Sequence, residues 1–119
     1  MAQEDIGKKV ELAWLTAFYG GMLTEKQRQV LALHCEEDMS LGEIAQEAGV
    51  SRQGVHEMLN RASQKLFEME ARLGMAKRFR TMQDGLEACR SALRAQRYNE
   101  AETLLDELIR LDQEENNGL

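Results

Sequence analysis

Proline is absent from this 119-residue chain, and aromatic residues make up only 5% of it. Long helices joined by short loops tolerate that composition, whereas sandwiches and barrels that turn on proline do not. β-Branched residues are sparse. In their place Ala, Leu, Glu, Gln, Arg and Met abound, and these lose little rotamer freedom in a helix. No stretch approaches the roughly 18 uninterrupted apolar residues of a membrane span. The opening MAQEDIGKKV has no apolar segment after its charges, so it does not read as a secretory signal. Cysteine is scarce too. Cys35 and Cys89 are the only two, far apart and without a CxxC, which points to reduced thiols in a cytoplasmic protein rather than a disulfide framework. Positive charge is in deficit, with 15 Lys and Arg against 21 Asp and Glu and a net charge of −6.

What is present is enough to fold. With 43% hydrophobic residues and no low-complexity block, the expected protein is all-α, one domain or one domain with a helical extension. Residues 5–19 predict an amphipathic helix with Ile6, Val10, Ala13, Trp14, Ala17 and Phe18 on its buried side, ended by Gly20-Gly21. Thr24 and Gln27 form a capping box, opening a helix that buries Val30, Leu31 and Leu33. Ser40 and Glu43 form a second box, for a short helix carrying Leu41, Ile44, Ala45 and Ala48. Gly49 supplies a left-handed turn, Val50 plugs the corner, and Ser51 caps a long fourth helix. Its apolar positions Val55, Leu59, Ala62, Leu66, Met69 and Leu73 advance by steps of four and three. Beyond Gly74 the stripe resumes as Met75, Phe79, Met82, Leu86, Cys89 and Leu93, and a last helix after Tyr98-Asn99 runs Ala101, Leu104, Leu108, Leu111. The stripes fit either an intramolecular core or the seam of a homodimer. Tyr98, Ala101 and Leu105 have the spacing of one tetratricopeptide-like unit, which as a single copy is read as packing. The tail EENNGL is expected to fray. Residues 1–73 thus hold an N-terminal helix and a helix-turn-helix unit, and 74–119 a C-terminal helical hairpin packing on it.

The stretch LGEIAQEAGVSRQGVHEML, residues 41–59, carries the chemistry. A helix-turn-helix needs a small residue where its helices cross, a glycine in the turn and an apolar anchor on the second helix. Ala45, Gly49 and Val55 meet those needs at matching spacing, with both helix caps in register. The residues left to face a partner are Ser51, Arg52, Gln53, His56, Glu57, Asn60 and Arg61.

With its preceding segment, LTEKQRQVLAL…SLGEIAQEAGVSRQGVHEMLNRASQKL, the region resembles the promoter-recognition region four of bacterial sigma factors. The chain resembles the YlxM family of small bacterial proteins more closely and over nearly its whole length, through FYGGMLTEKQR, DMSLGEIAQEAGVSRQ and RLGMAKRF in that order. That resemblance implies a sigma region-4-like helix-turn-helix and a regulatory role with the signal recognition particle, whose genes usually neighbour those of the family. It assigns no biochemical activity.

Charge tests the DNA reading. Protein on duplex DNA must offset phosphate with Lys and Arg. Residues 24–72 hold six basic and nine acidic side chains, a net of −3, the wrong sign for a self-sufficient DNA binder. Arg52 and Gln53 suit guanine and adenine edges, while Glu57 repels phosphate. Gly54 costs roughly 1 kcal/mol against alanine in a helix. It is either drift on a well-packed helix or room for a partner's backbone. The concentrated positive charge lies in RLGMAKRFR, where Arg72, Lys77, Arg78 and Arg80 have no acid among them and Phe79 is expected to point inward. A solvated face is the plain reading of this cluster, and RNA phosphate or an acidic protein surface the functional one.

Two functions follow. One is an adaptor docking on the signal recognition particle, on its GTPase or its RNA; the other is a DNA-binding transcription regulator acting as a dimer. No catalytic group is expected, since no phosphate loop, HExxH or acid–base constellation is present. No cofactor or metal is expected either. His34 beside Cys35 is the one tempting pair, but neighbours on a helix point about 100° apart, and ordinary surface or core roles suffice.

Overall fold

Three helix starts are set by side chains that satisfy otherwise unpaired backbone N–H groups. Thr24 Oγ1 accepts from the Gln27 N–H at 3.1 Å, and Gln27 Oε1 accepts from the Thr24 N–H at 3.0 Å. Ser40 and Glu43 exchange the same pair at 3.2 and 3.3 Å. Ser51 Oγ accepts from Gly54 N–H at 2.9 Å. Gly49 and Gly74 end two helices at φ of 70° and 62°, a left-handed conformation glycine adopts without a Cβ clash.

The resulting architecture, in a computed structural model, is all-α. Residues 2–117 are described, with side chains described from Gly7 to Glu114. In order come α1 (Ala2–Tyr19), a short 3-10 turn (Gly20–Met22), α2 (Glu25–Cys35), α3 (Leu41–Ala48), α4 (Arg52–Leu73), α5 (Met75–Arg94) and α6 (Tyr98–Asn117), with no strand among the described residues. The chain groups into two compact units, Met1–Ala76 and Lys77–Leu119.

In the first unit, α1 to α4 close around Leu12, Leu15, Tyr19, Val30, Leu31, Ile44, Val55, Ala62 and Leu66. The fourth-helix stripe is buried as expected at Val55, Leu59, Ala62 and Leu66, but Leu73 at its end is exposed. The buried face of α1 differs from the expected one. Leu12, Leu15 and Tyr19 turn inward, Val10 and Ala17 are exposed, and Ala13, Trp14 and Phe18 are half-buried. The side chain of Ile6 lies outside the described residues. Apolar residues occur almost all round this helix, so periodicity could not choose between its faces. Trp14 and Phe18 pack against the edge of the core and on each other, edge to face at 5.1 Å.

Tyr19 does more than fill space. Its phenol donates to Glu70 Oε1 at 2.6 Å and accepts from the Met75 N–H at 3.1 Å, while Glu70 Oε1 accepts from the Ala76 N–H at 3.1 Å. Two side chains from α1 and α4 thereby cap the start of α5.

In the second unit, α5 and α6 meet through small residues. Cys89, Ala92, Ala101 and Leu108 are buried, and a Cβ at Gly85 would lie only 3.0 Å from Leu108 Cγ and nearer still to a methyl. Phe79, Leu86 and Leu93, expected in the stripe, are exposed, as is Met75; Phe79 does not point inward. Close approach at Gly85 rotates the larger apolar side chains of α5 off the contact line. Tyr98 and Leu105 are also exposed. Within the tail EENNGL, α6 runs to Asn117, and Gly118 and Leu119 lie outside the described residues.

Two tests follow from this packing. Gly7 has open space around a new Cβ, so Gly7→Ala is expected to raise stability by about 0.5–1 kcal/mol in a urea melt. Gly85→Ala should forfeit that gain, because overpacking against Leu108 costs about 1–3 kcal/mol.

Burial, and then the bond to Glu70, push the Tyr19 phenol above the ordinary tyrosine value. A raised folded-state pKa means stability fully present below the unfolded value near pH ~10 and lost as pH rises through the folded value. Tyr19→Phe should cost about 1–3 kcal/mol at neutral pH, the scale of a hydrogen bond to a charged group. It should also flatten the alkaline arm of the stability curve, measured by urea melts from neutral to alkaline pH.

Candidate helix-turn-helix interface

The site is built on α3, its glycine turn and the first three turns of α4. Ala45 is buried and accepts at its carbonyl from Val50 N–H at 3.1 Å. Val55, 0% exposed, anchors α4 in the core beside Ile44. With Val55 and Leu59 inward, Ser51, Arg52, Gln53, His56, Glu57, Asn60 and Arg61 are all exposed.

They do not form one uniform surface. Arg52 leans back on α3, its Nε 3.8 Å from where a Cβ of Gly42 would stand, in a shallow depression shared with Glu43 and Gln46. Glu57 and Arg61 border a cleft with Thr24, Lys26 and Gln27 at the start of α2. His56 and Asn60 lie one stripe round the helix, 3.2 Å apart, and face a cavity shared with α1 and α2. Gly54 is half-buried, and a Cβ there would stand 3.1 Å from the capping Ser51 Oγ. The cap itself therefore crowds that position.

The basic segment is divided between the two units. Arg72, exposed, closes α4 in the first, while Lys77, Arg78 and Arg80 begin the second, where Lys77 and Arg80 are exposed and Arg78 is half-buried.

Neither cysteine sits in a reactive setting. Burial pushes the Cys35 thiol up, away from the thiolate a nucleophile requires, and Cys89 is buried with its thiol 3.8 Å from the Ala101 carbonyl. Among the described residues no three His, Cys, Asp or Glu gather as metal ligands, and no helix is long and apolar enough to cross a membrane.

Comparison with known proteins agrees with this geometry. A family model described as "Putative helix-turn-helix protein, YlxM / p13 like" (UPF0122) matches residues 6–108. The chain belongs to this family. A UPF0122 protein of Shouchella clausii is 36% identical over 90% of this chain and 99% of its own length. One of Bacillus licheniformis is 38% identical over 88% and 96%, and one of Desulforamulus reducens 46% over 55% and 56%. The YlxM resemblance read from the three segments is thus borne out by the family match over residues 6–108, and the all-α fold accords with it.

Sequence reasoning missed Lys8, Lys9, His34 and Ser63, which join His56 and Asn60 around one cavity. The available signal was that the chain has only two histidines. They sit on different helices, and only the α1–α2–α4 packing brings them together.

Proposed function

We propose that this UPF0122 protein is a non-enzymatic regulatory adaptor of the bacterial signal recognition particle pathway. It would act in the cytoplasm and dock on the particle's GTPase or its RNA. The observation that carries this reading is the character of the exposed helix-turn-helix face. Glu57 and Arg61 stand side by side at one cleft, and Arg52 lies against α3 beside Glu43. A face of mixed sign suits a protein surface or a local RNA feature, whereas a DNA groove lined by phosphate favours uniform positive charge. Lys77 and Arg80, three apart on α5, add phosphate or acidic-surface contacts.

Pulldown with purified particle protein, particle RNA and receptor tests this at moderate salt. Retention of at least one component is expected, weakened at least roughly tenfold by Lys77→Gln with Arg80→Gln, the scale of losing charge-assisted contacts. Retention of none defeats the reading.

A second reading, a dimeric DNA-binding transcription regulator, draws on two features. Arg52 and Gln53 are exposed on the first turn of the recognition helix, and Leu86, Leu105 and Ile109 form an exposed apolar groove on the hairpin. In α5 five basic residues stand against two acidic, and in α6 one against seven. A two-fold pairing that lays α5 on a partner's α6 would match those charges. Sedimentation should then show a dimer lost in Leu86→Asp, and selection from random duplexes should return a repeated half-site whose affinity falls steeply with salt. A monomer with featureless selection output rules it out.

A further inference from the structure

The cavity between α1, α2 and α4 measures about 370 Å³, within the range of small-ligand pockets. Lys8 and Lys9 come from α1, His34 from α2, and His56, Asn60 and Ser63 from α4. All six can donate hydrogen bonds to an anion. Half-buried Leu41, beside the edges of the buried Leu12 and Leu59, supplies an apolar floor, and no carboxylate is among the described residues that line it. This is a local inversion of charge in a chain of net −6.

A second observation shows that an anion is held at its rim. Asp38, in the α2–α3 loop, adopts φ of 52°, a left-handed conformation uncommon outside glycine. Its carboxylate ion-pairs with Lys9. The hydrogen bond from Lys9, the Lys9 charge and the nearby His34 hold it below the usual carboxylate range. The loop therefore presents its own anion to Lys9, one of the cationic groups that line the cavity, close to His34.

We propose that this cavity binds a phosphorylated nucleoside, its phosphate taken by Lys8, Lys9, His34 and His56 and its base lying against Leu41. A phosphate offers several acceptor oxygens to the converging ammonium, imidazole, amide and hydroxyl donors, more than the single carboxylate of Asp38 can satisfy. The floor gives a flat heterocycle an apolar surface. The phosphate comes either from a free nucleotide or from one residue of a nucleic-acid strand. The site shares His56 and Asn60 with the recognition helix but is testable apart from the docking reading above, because Lys8, Lys9 and His34 lie outside that helix.

The chain's only two histidines both line the cavity, so imidazole ¹H–¹⁵N correlation spectra of the full chain report occupancy directly. Three probes are titrated: guanosine diphosphate, inorganic pyrophosphate and a short unstructured RNA. Joint, saturable movement of the His34 and His56 signals with the diphosphate supports a free nucleotide. Movement with the RNA but not the diphosphate supports a strand phosphate. Either response should weaken roughly tenfold in Lys8→Gln, the scale of one lost charge-assisted hydrogen bond. It should strengthen in Asp38→Asn, which frees Lys9, provided each variant keeps the parent's helical circular dichroism. The proposal is overturned if neither nucleotide nor RNA moves both rings, if pyrophosphate alone does so as tightly as the diphosphate, or if Lys8→Gln responds like the parent chain. Loss of particle retention in the pulldown would leave these titrations unaffected, so the two readings fail separately.

Discussion

The joint made by Tyr19 and Glu70 is where the first unit is closed. A helix leaving a glycine turn exposes its first N–H groups, and no side chain at Gly74 can cap α5. The phenol and the carboxylate supply that cap from α1 and α4, taking the N–H groups of Met75 and Ala76. One hydrogen-bonded node thus ties the end of the first helix to the end of the fourth. In doing so it holds α1 against α4, and that contact shapes both the core around Leu12 and Leu66 and the cavity beside His56. A purely apolar contact at Tyr19 would bury comparable area without taking up the N–H groups of Met75 and Ala76.

Local devices were legible because each depends on residues close in sequence. The Thr24 and Ser40 boxes, the Ser51 cap, the Gly49 turn and the Val55 anchor all formed as spacing predicts. The tertiary cap was not legible, since 51 residues separate Tyr19 from Glu70 and nothing in either neighbourhood marks the pairing. The two misread faces have a shared cause. On α1 apolar residues surround the helix, and on α5 the expected stripe is buried at Cys89, whereas its large members Phe79, Leu86 and Leu93 give way to the small residues Gly85 and Ala92. Periodicity counts apolar positions; it does not weigh how closely two backbones can approach.

The candidate interface divides in the same way. That Arg52, Gln53, His56, Glu57, Asn60 and Arg61 face outward follows from Val55 and Leu59 facing inward, a consequence of helical geometry alone. Which neighbour each one meets does not follow. Arg52 settles on α3 because Gly42 leaves room there, and Glu57 and Arg61 meet α2 because its capped first turn borders the same groove. His56 comes to line one cavity with His34 only through packing that places α1 and α2 on that side of α4.

These placements bear on how an acidic chain can carry a nucleic-acid type of scaffold. Net charge governs long-range attraction, and at physiological ionic strength that attraction fades over about 8 Å. Within that distance the local arrangement decides. A −6 chain is therefore a poor candidate for sliding along duplex phosphate, yet under the cavity proposal one phosphate would meet Lys8, Lys9, His34 and His56 where Asp38 is the carboxylate it must displace from Lys9. Acidic residues elsewhere would then contribute to selectivity, repelling long polyanions that cannot bring a single group into the cavity. In this view the helix-turn-helix serves as a rigid frame that sets α4 against α1 and α2, and discrimination arises at the seams of the frame as much as on its outward face.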